Sequence, residues 1–135
     1  MEPVKVEILF KNGNVRKGHT LDFNPTSPTF HLSENINISS HNQSILLEMK
    51  DIKAVLFVKT FEGNKEYIER KEFIESDRVQ GRRVEVTFAD GEVVRGSTVG
   101  YDPKRLGFFL IPVDPGSNNI RIFMISDALM TFRFL

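Results

Sequence analysis

The sequence predicts a mainly β protein, with two tandem five-stranded small barrels and a short, partly helical linker. Three observations support this fold class. The two ends of the chain carry the same residue pattern, each copy holds short β-type runs bounded by turn residues, and a charged segment separates the copies. We therefore expect a first barrel repeat over residues 1–59, a linker over 60–81 and a second barrel repeat over 82–135.

The repeat is visible when residues 5–32 are aligned with residues 83–110. Ten of these 28 positions are identical without a gap, and others exchange similar residues, as Ile8 and Val86 do. Internal duplication is the simplest explanation of such a match. Beyond Leu32 the alignment slips by two residues, which sets MKDIKAVLFV opposite ISDALMTFRFL.

The strands of each copy follow from local residue types. An apolar run ends at Phe10 or Phe88, and the Asn-Gly or Asp-Gly pair after it predicts a tight hairpin turn. A glycine within the second strand, Gly18 or Gly96, predicts a bulge or a bend. FNP or YDP then ends that strand, because proline cannot donate to a ladder. Three further β-type runs complete each copy: TFHL, SILLEM and AVLFV in the first, and GFFLIPV, NIRIFMI and MTFRFL in the second.

The linker is charged, and its few apolar side chains have spacings that allow a short helix from about Asn64 to Glu75. A solvated tether is the alternative. The apolar side chains favour a segment that packs against the barrels, and they are Tyr67, Ile68, Phe73 and Ile74.

Composition excludes several classes of protein. Eighteen basic and eighteen acidic residues cancel, which argues against a broad field that collects nucleic acid or anionic lipid. The chain has no cysteine, so disulfides and thiolate metal sites are excluded. It has neither a signal-peptide pattern nor an apolar run long enough for a bilayer, and we expect a cytoplasmic, bacterial-type protein without a membrane partner.

The Asn-Gly or Asp-Gly turn, the mid-strand glycine and the closing FNP or YDP resemble the Sm-like small barrel over Val6–Asn24 and Val84–Asp102. An SH3-like barrel has the same strand count, and both remain open. Sm-like proteins that bind RNA carry an asparagine shortly after the closing aspartate, where this chain has TSPTF and KRLGF. The second copy also resembles an uncharacterised bacterial domain family of unknown function, through DGEVVRG, YDPKRLGFFLIPVDPGSNNIRIF and FRFL. That resemblance implies a fold and no activity.

No signature of catalysis stands in the sequence. His19, His31 and His41 are too far apart for a strand-borne metal pair. The segment RVQGRR resembles the arginine-rich lead of PilZ-type cyclic-nucleotide binders, but the serine-containing element that should follow is missing. We therefore expect no catalytic residue, no cofactor, no metal and no enzymatic activity.

The second copy carries apolar side chains on both faces of two strands. If Phe108 and Leu110 point inward, strand alternation turns their neighbours outward. A strand that is apolar on both faces is covered on both faces, either by the first copy and the linker or by a partner subunit. The candidate interface residues are Phe109, Ile111, Phe123 and Ile125.

One polar cluster is a candidate for hydrogen bonding to a partner backbone or an anionic group. The alternative is an ordinary turn, which the residues DPGSNN also explain. The candidate residues are Lys104, Arg105, Asn118, Asn119 and Arg121.

Neutral charge, doubled apolar faces and absent catalytic residues predict a non-enzymatic binding or scaffold module that recognises a protein partner or self-associates. The first alternative is an Sm-like protein that binds RNA through a basic stripe shared by both copies. The second is a sensor of a small molecule or cyclic nucleotide.

Overall fold

The computed structural model describes residues 3–34 and 44–135, and within these ranges the protein is mainly β. One short 3-10 turn precedes the last strand of each half, at Met49–Asp51 in the first half and at Ser126–Ala128 in the second. The strands are β1 (Val4–Phe10), β2 (Val15–Thr20), β3 (Thr29–Ser33), β4 (Ser44–Glu48), β5 (Ile52–Val58), β6 (Arg82–Phe88), β7 (Val93–Thr98), β8 (Gly107–Pro112), β9 (Asn119–Ile125) and β10 (Leu129–Phe134).

All of these strands form one antiparallel sheet in the order β10-β6-β7-β8-β9-β5-β1-β2-β3-β4. The halves are joined by β5 and β9, which pair from Ala54 opposite Met124 to Val58 opposite Asn119. The sequence predicted two separate barrels, each closed on itself. The structure has instead one continuous sheet, in which β4 and β10 are the outer strands of the described residues.

The two predicted hairpin turns are confirmed. The backbone N–H of Gly13 donates to Phe10 O at 3.0 Å, and that of Gly91 donates to Phe88 O at 2.9 Å. Both glycines have a positive φ, 92° and 95°. Residues other than Gly, Asn and Asp rarely adopt such a backbone angle. Local chemistry therefore decides where each half makes its first turn.

The two halves share nearly the same pairing register. The β1–β2 and β6–β7 ladders coincide when one is shifted by 78 positions. In the next pair, Phe30 lies opposite Leu47 and the equivalent Phe108 lies opposite Met124, which is a shift of 77 for the fourth strand. The alignment therefore slips by one residue there, not by two as the sequence predicted.

Strands β5 and β9 are covered on both faces. Ile122 lies opposite Leu56 on β5 and Leu110 on β8, so these side chains share one face. Phe123 points to the other face with Phe109, towards the interior of the first half. Buried residues of both halves consequently form one apolar cluster, not two separate interiors.

The linker contains no helix, although the structure describes all of residues 60–81. Its backbone N–H groups are bound elsewhere: Arg70 N donates to Asp114 Oδ2 and Ile74 N donates to Asp77 Oδ2, both at 2.9 Å. The expected helix is wrong because these carboxylates compete with the carbonyls that a helix would offer. Ile68, expected to be an apolar anchor, is 92% exposed.

Candidate functional site

The candidate interface residues Phe109 and Phe123 lie inside the chain. Phe123 is fully buried, and its ring meets the edge of Phe109 at 5.1 Å and that of Phe23 at 5.2 Å between centroids. Phe109 is half-buried and lies 5.9 Å from the Phe57 ring. These aromatic side chains therefore pack the second half onto the first.

The other two candidate interface residues differ in their exposure to solvent. Ile125 is 2% exposed, whereas Ile111 is 43% exposed on β8. Strand alternation correctly sends Phe109 and Ile111 to one face, but alternation cannot tell that the first half covers part of that face. Of the four candidate interface residues, Ile111 is exposed, Phe109 is half-buried, and Phe123 and Ile125 are buried.

The candidate polar cluster is also divided. Lys104 and Arg105 lie in the loop before β8, beside the C-terminal end of β9, where Ser126 N donates to Leu106 O. Asn118 and Asn119 lie at the N-terminal end of β9, which is 7 residues long. Such a strand spans about 20 Å, so the two groups cannot hold one ligand together.

Two members of that cluster have structural contacts. The Asn118 side chain accepts a hydrogen bond from Thr60 N at 3.2 Å and donates one to Thr60 O at 2.8 Å, which ties the start of the linker to the loop before β9. The Arg121 guanidinium lies 4.2 Å from the centroid of Phe109 and 4.6 Å from that of Phe57. Its cation–π contacts place a charge over the aromatic cluster between the halves.

Lys104 and Arg105 instead line a groove between the two halves. The groove has a volume of about 690 Å³, and the first half contributes Pro28, Met49 and Lys50 to its wall. Acidic side chains lie among the basic ones: Glu48, 3.3 Å from Lys50, and Asp127 also line the groove. The groove has mixed charge and is open enough for an extended ligand.

The Ser126 hydroxyl lies in the wall of this groove. Its oxygen is buried and has no hydrogen-bond partner within residues 3–34 and 44–135. A buried hydroxyl without a partner is destabilising.

Asp114 is a second site, whose role the sequence did not reveal. Its carboxylate accepts hydrogen bonds from the Tyr67 hydroxyl at 2.7 Å, Arg70 N at 2.9 Å and Gly116 N at 2.8 Å. The Arg70 amide, the Tyr67 hydroxyl and the Gly116 amide lower the pKa of Asp114 to about 2, because each favours the ionised carboxylate. Asp114 begins the DPGSNN turn, and its carboxylate also fastens the linker.

The histidines occupy unrelated positions. His19 meets the Phe61 ring edge-on at 5.3 Å, and His31 Nδ1 lies 2.7 Å from Asp22 Oδ2. His41 lies outside the described residues. Among the described residues, no group of three or more acidic, histidine or cysteine side chains is arranged to hold a metal, and no helix is long and apolar enough to cross a bilayer.

The two outer strands present apolar side chains to solvent. Leu46 on β4 is 56% exposed, and on β10 Met130 is 62% and Phe134 45% exposed. An outer strand also leaves alternate backbone N–H and C=O groups free to pair with another strand. Among residues 3–34 and 44–135, both outer strands therefore combine an edge without a paired neighbouring strand with apolar surface.

Comparison with protein families assigns the chain to a family. The model of a family described as "Family of unknown function (DUF6982)" matches residues 2–135. Neither the curated proteins nor the solved structures contain a significant match to the chain.

Proposed function

The chain belongs to this family of unknown function, and we propose that it is a non-enzymatic scaffold module that self-associates through its two outer strands. The observation that carries the proposal is the β5–β9 joint. There, the fifth strand of one half pairs with the fourth strand of the other. The outer strands β4 and β10 are the remaining fourth and fifth strands.

A second copy of the chain can repeat this joint. The equivalences between the halves, applied to the β5–β9 register, set Thr131 opposite Leu47 and Phe132 opposite Leu46 of a neighbouring copy. Leu46 would then occupy the place that Phe123 has within the chain. The joint would cover the exposed apolar side chains of both outer strands, which supports association.

The proposed joint is head-to-tail, because it uses different surfaces on the two copies. A head-to-tail joint produces a closed ring when its rotation closes and a filament when it does not. The Sm-like or SH3-like character of each half is part of the proposal. It is supported by the glycines inside β2 and β7, where the neighbouring strand approaches closely.

The experiment uses two variants that each block one edge, Leu46→Lys and Phe134→Lys; Phe134 is 45% exposed and is the equivalent of Phe57, which is buried at the β5–β9 joint. We expect the wild-type protein to form a concentration-dependent oligomer in light scattering and native mass spectrometry, and each variant alone to be monomeric. An equimolar mixture of the two should form a 1:1 dimer, because one intact β10 meets one intact β4 and further growth is blocked.

Ile120→Lys is the matched control, since Ile120 is 54% exposed and lies on neither outer strand. It should assemble like the wild type. A wild-type protein that stays monomeric at every concentration would exclude self-association. Dimers formed by one edge variant alone would show a symmetric joint and contradict the head-to-tail arrangement.

Binding to single-stranded RNA remains the second candidate, and the groove between the halves favours it. Lys50 from the first half and Lys104 and Arg105 from the second line that groove. An RNA ligand should bind more weakly as salt rises, and Lys104→Gln should weaken binding and reduce the salt dependence. The absence of binding at low salt would exclude this candidate.

A further inference from the structure

We propose that a cavity beneath the linker is a binding site for a small amphiphile with an apolar body and one anionic group. The cavity has a volume of about 280 Å³ and lies where β7 of the second half faces β1 and β5 of the first. It is separate from the groove and from both outer strands. Its apolar lining includes Leu9, Ala54, Leu56, Val94, Ile122 and Met124.

The cavity exists because β7 separates from β8. The two strands pair only at Gly96 opposite Pro112 and Ser97 opposite Ile111. Gly96 permits this crossing, since a side chain there would collide with the backbone oxygen of Ile111. The earlier part of β7, from Val93 to Arg95, therefore leaves β8 and opens a space towards β5.

The first half has no apolar counterpart at this position. Arg16 is the equivalent of Val94, and its guanidinium pairs with Glu34 at the surface. The half-buried Val94 instead contributes an apolar wall to the cavity. The difference indicates that the space is a feature of the second half, not a general consequence of the repeated strand pattern.

Its volume is sufficient for a ligand. Dry apolar cavities of about 150 Å³ in other proteins bind benzene. A cavity of about 280 Å³, with an apolar wall on one side and charged side chains on the other, can take a longer body, and the polar groups would then set the orientation of the ligand.

The linker forms the outer wall of the cavity through Glu69, Arg70 and Lys71. Arg70 is bound to Asp77 by two hydrogen bonds of 2.7 and 2.9 Å. Arg95, from β7, is bound to Glu85 at 2.9 Å. These contacts hold two cations in place beside the cavity.

Lys71 is the cation best able to turn towards a ligand. Its side chain is 75% exposed, and its Nζ lies 3.4 Å from Glu69 Oε2, which is a weak surface pair. The acidic group on the other border, Glu92, is bound by Lys53. Arg70 and Arg95 are held in their ion pairs, so the direct contact with an anionic group is assigned to Lys71.

The test is calorimetric titration of the full chain with octanoate and, separately, with octanol. We expect both to bind saturably and to shift the amide NMR signals of β5, β7 and residues 69–71. Lys71→Gln should weaken octanoate binding roughly two- to fivefold and leave octanol binding unchanged, as removal of one surface charge contact predicts.

Two variants that fill the cavity from opposite walls, Val94→Phe and Leu9→Phe, should each weaken binding of both ligands about tenfold or more. Val99→Phe is the matched control, because Val99 is 79% exposed and does not line the cavity. Thermal melting establishes which filled variants are folded. The proposal is overturned if the wild type binds neither ligand, or if a folded cavity-filling variant binds both as the wild type does.

Discussion

Phe23 and Phe123 belong to different halves of the chain, and their rings meet edge to face with centroids 5.2 Å apart. Phe23 makes the same kind of contact with Phe57 at 5.2 Å and with Phe30 at 5.2 Å. One aromatic side chain of the first half thus packs against rings from both halves. The equivalent Tyr101 is instead stacked on Phe132 within its own half, at 3.6 Å.

This shared packing predicts that the protein unfolds as one unit. Phe123→Ala should lower the free energy of unfolding by about 3–5 kcal/mol, because it removes a fully buried ring from the joint. Hydrogen exchange should accelerate in both β1–β3 and β6–β8. Phe123→Leu is the control and should cost less, since it keeps most of the apolar volume. Acceleration confined to β6–β8 would contradict a shared core.

The Asp114 site predicts acid sensitivity of the linker attachment. Its pKa in the folded protein, about 2, is below the ordinary value of 3.8. Below roughly pH 4 the unfolded state therefore binds more protons than the folded state, and the stabilisation is lost as the pH falls towards about 2.

Asp114→Asn should consequently destabilise the protein at about pH 6, and the difference from the wild type should narrow at about pH 3. Urea unfolding at the two pH values measures this difference in the free energy of unfolding. Asp51→Asn is the control, because the Asp51 side chain is exposed, and it should change stability little at either pH. A difference between wild type and Asp114→Asn that is constant with pH would show that the carboxylate charge has no role.

Lys53 forms a second contact between the halves. Its Nζ lies 2.7 Å from Asp90 Oδ2 and 4.5 Å from the centroid of the Phe88 ring, and the side chain is 13% exposed. Burial alone would lower the pKa of Lys53, but its hydrogen bonds to Asp90 and Glu92 outweigh burial and raise it. The ammonium is therefore charged when folded.

We expect Lys53→Met to destabilise the protein by about 1 kcal/mol in low salt and by less in high salt, because screening weakens ion pairs. Lys50→Met is the matched control, since Lys50 is 73% exposed, and should change stability by less than about 0.5 kcal/mol. Chemical denaturation at two salt concentrations measures both variants. Equal effects of the two substitutions on stability would show that the ion pair of Lys53 between the halves does not stabilise the protein.

Two glycines of the second half test the crossing of β7 and β8. Gly96→Ala should destabilise by about 1–3 kcal/mol, because its Cβ would collide with Ile111 O and the Leu110 side chain. Gly100→Ala should have little effect, as a Cβ there has no neighbour within 4 Å. Thermal unfolding compares the two. Similar melting temperatures for the two variants would show that β8 can move away from a Cβ at position 96 without a loss of stability.

The sequence by itself determined the local structure of this protein. The Asn12–Gly13 and Asp90–Gly91 turns could be predicted because positive φ is a property of the residues in the turn. The strand content followed from β-type runs, and the doubled apolar character of β9 correctly indicated a strand covered on both faces. These features depend on a few neighbouring residues and need no knowledge of the rest of the chain.

Only the tertiary structure decided which groups from distant positions meet. Alternation shows that Phe123 must be covered, but the β5–β9 pairing supplies the first half as its cover, and no local pattern encodes that choice. The linker helix failed for the same reason, since Asp114, 44 positions away, takes the N–H of Arg70. Pairing between remote strands and side-chain bonds to a remote backbone depend on the assembled fold, and so they are absent from any short window of sequence.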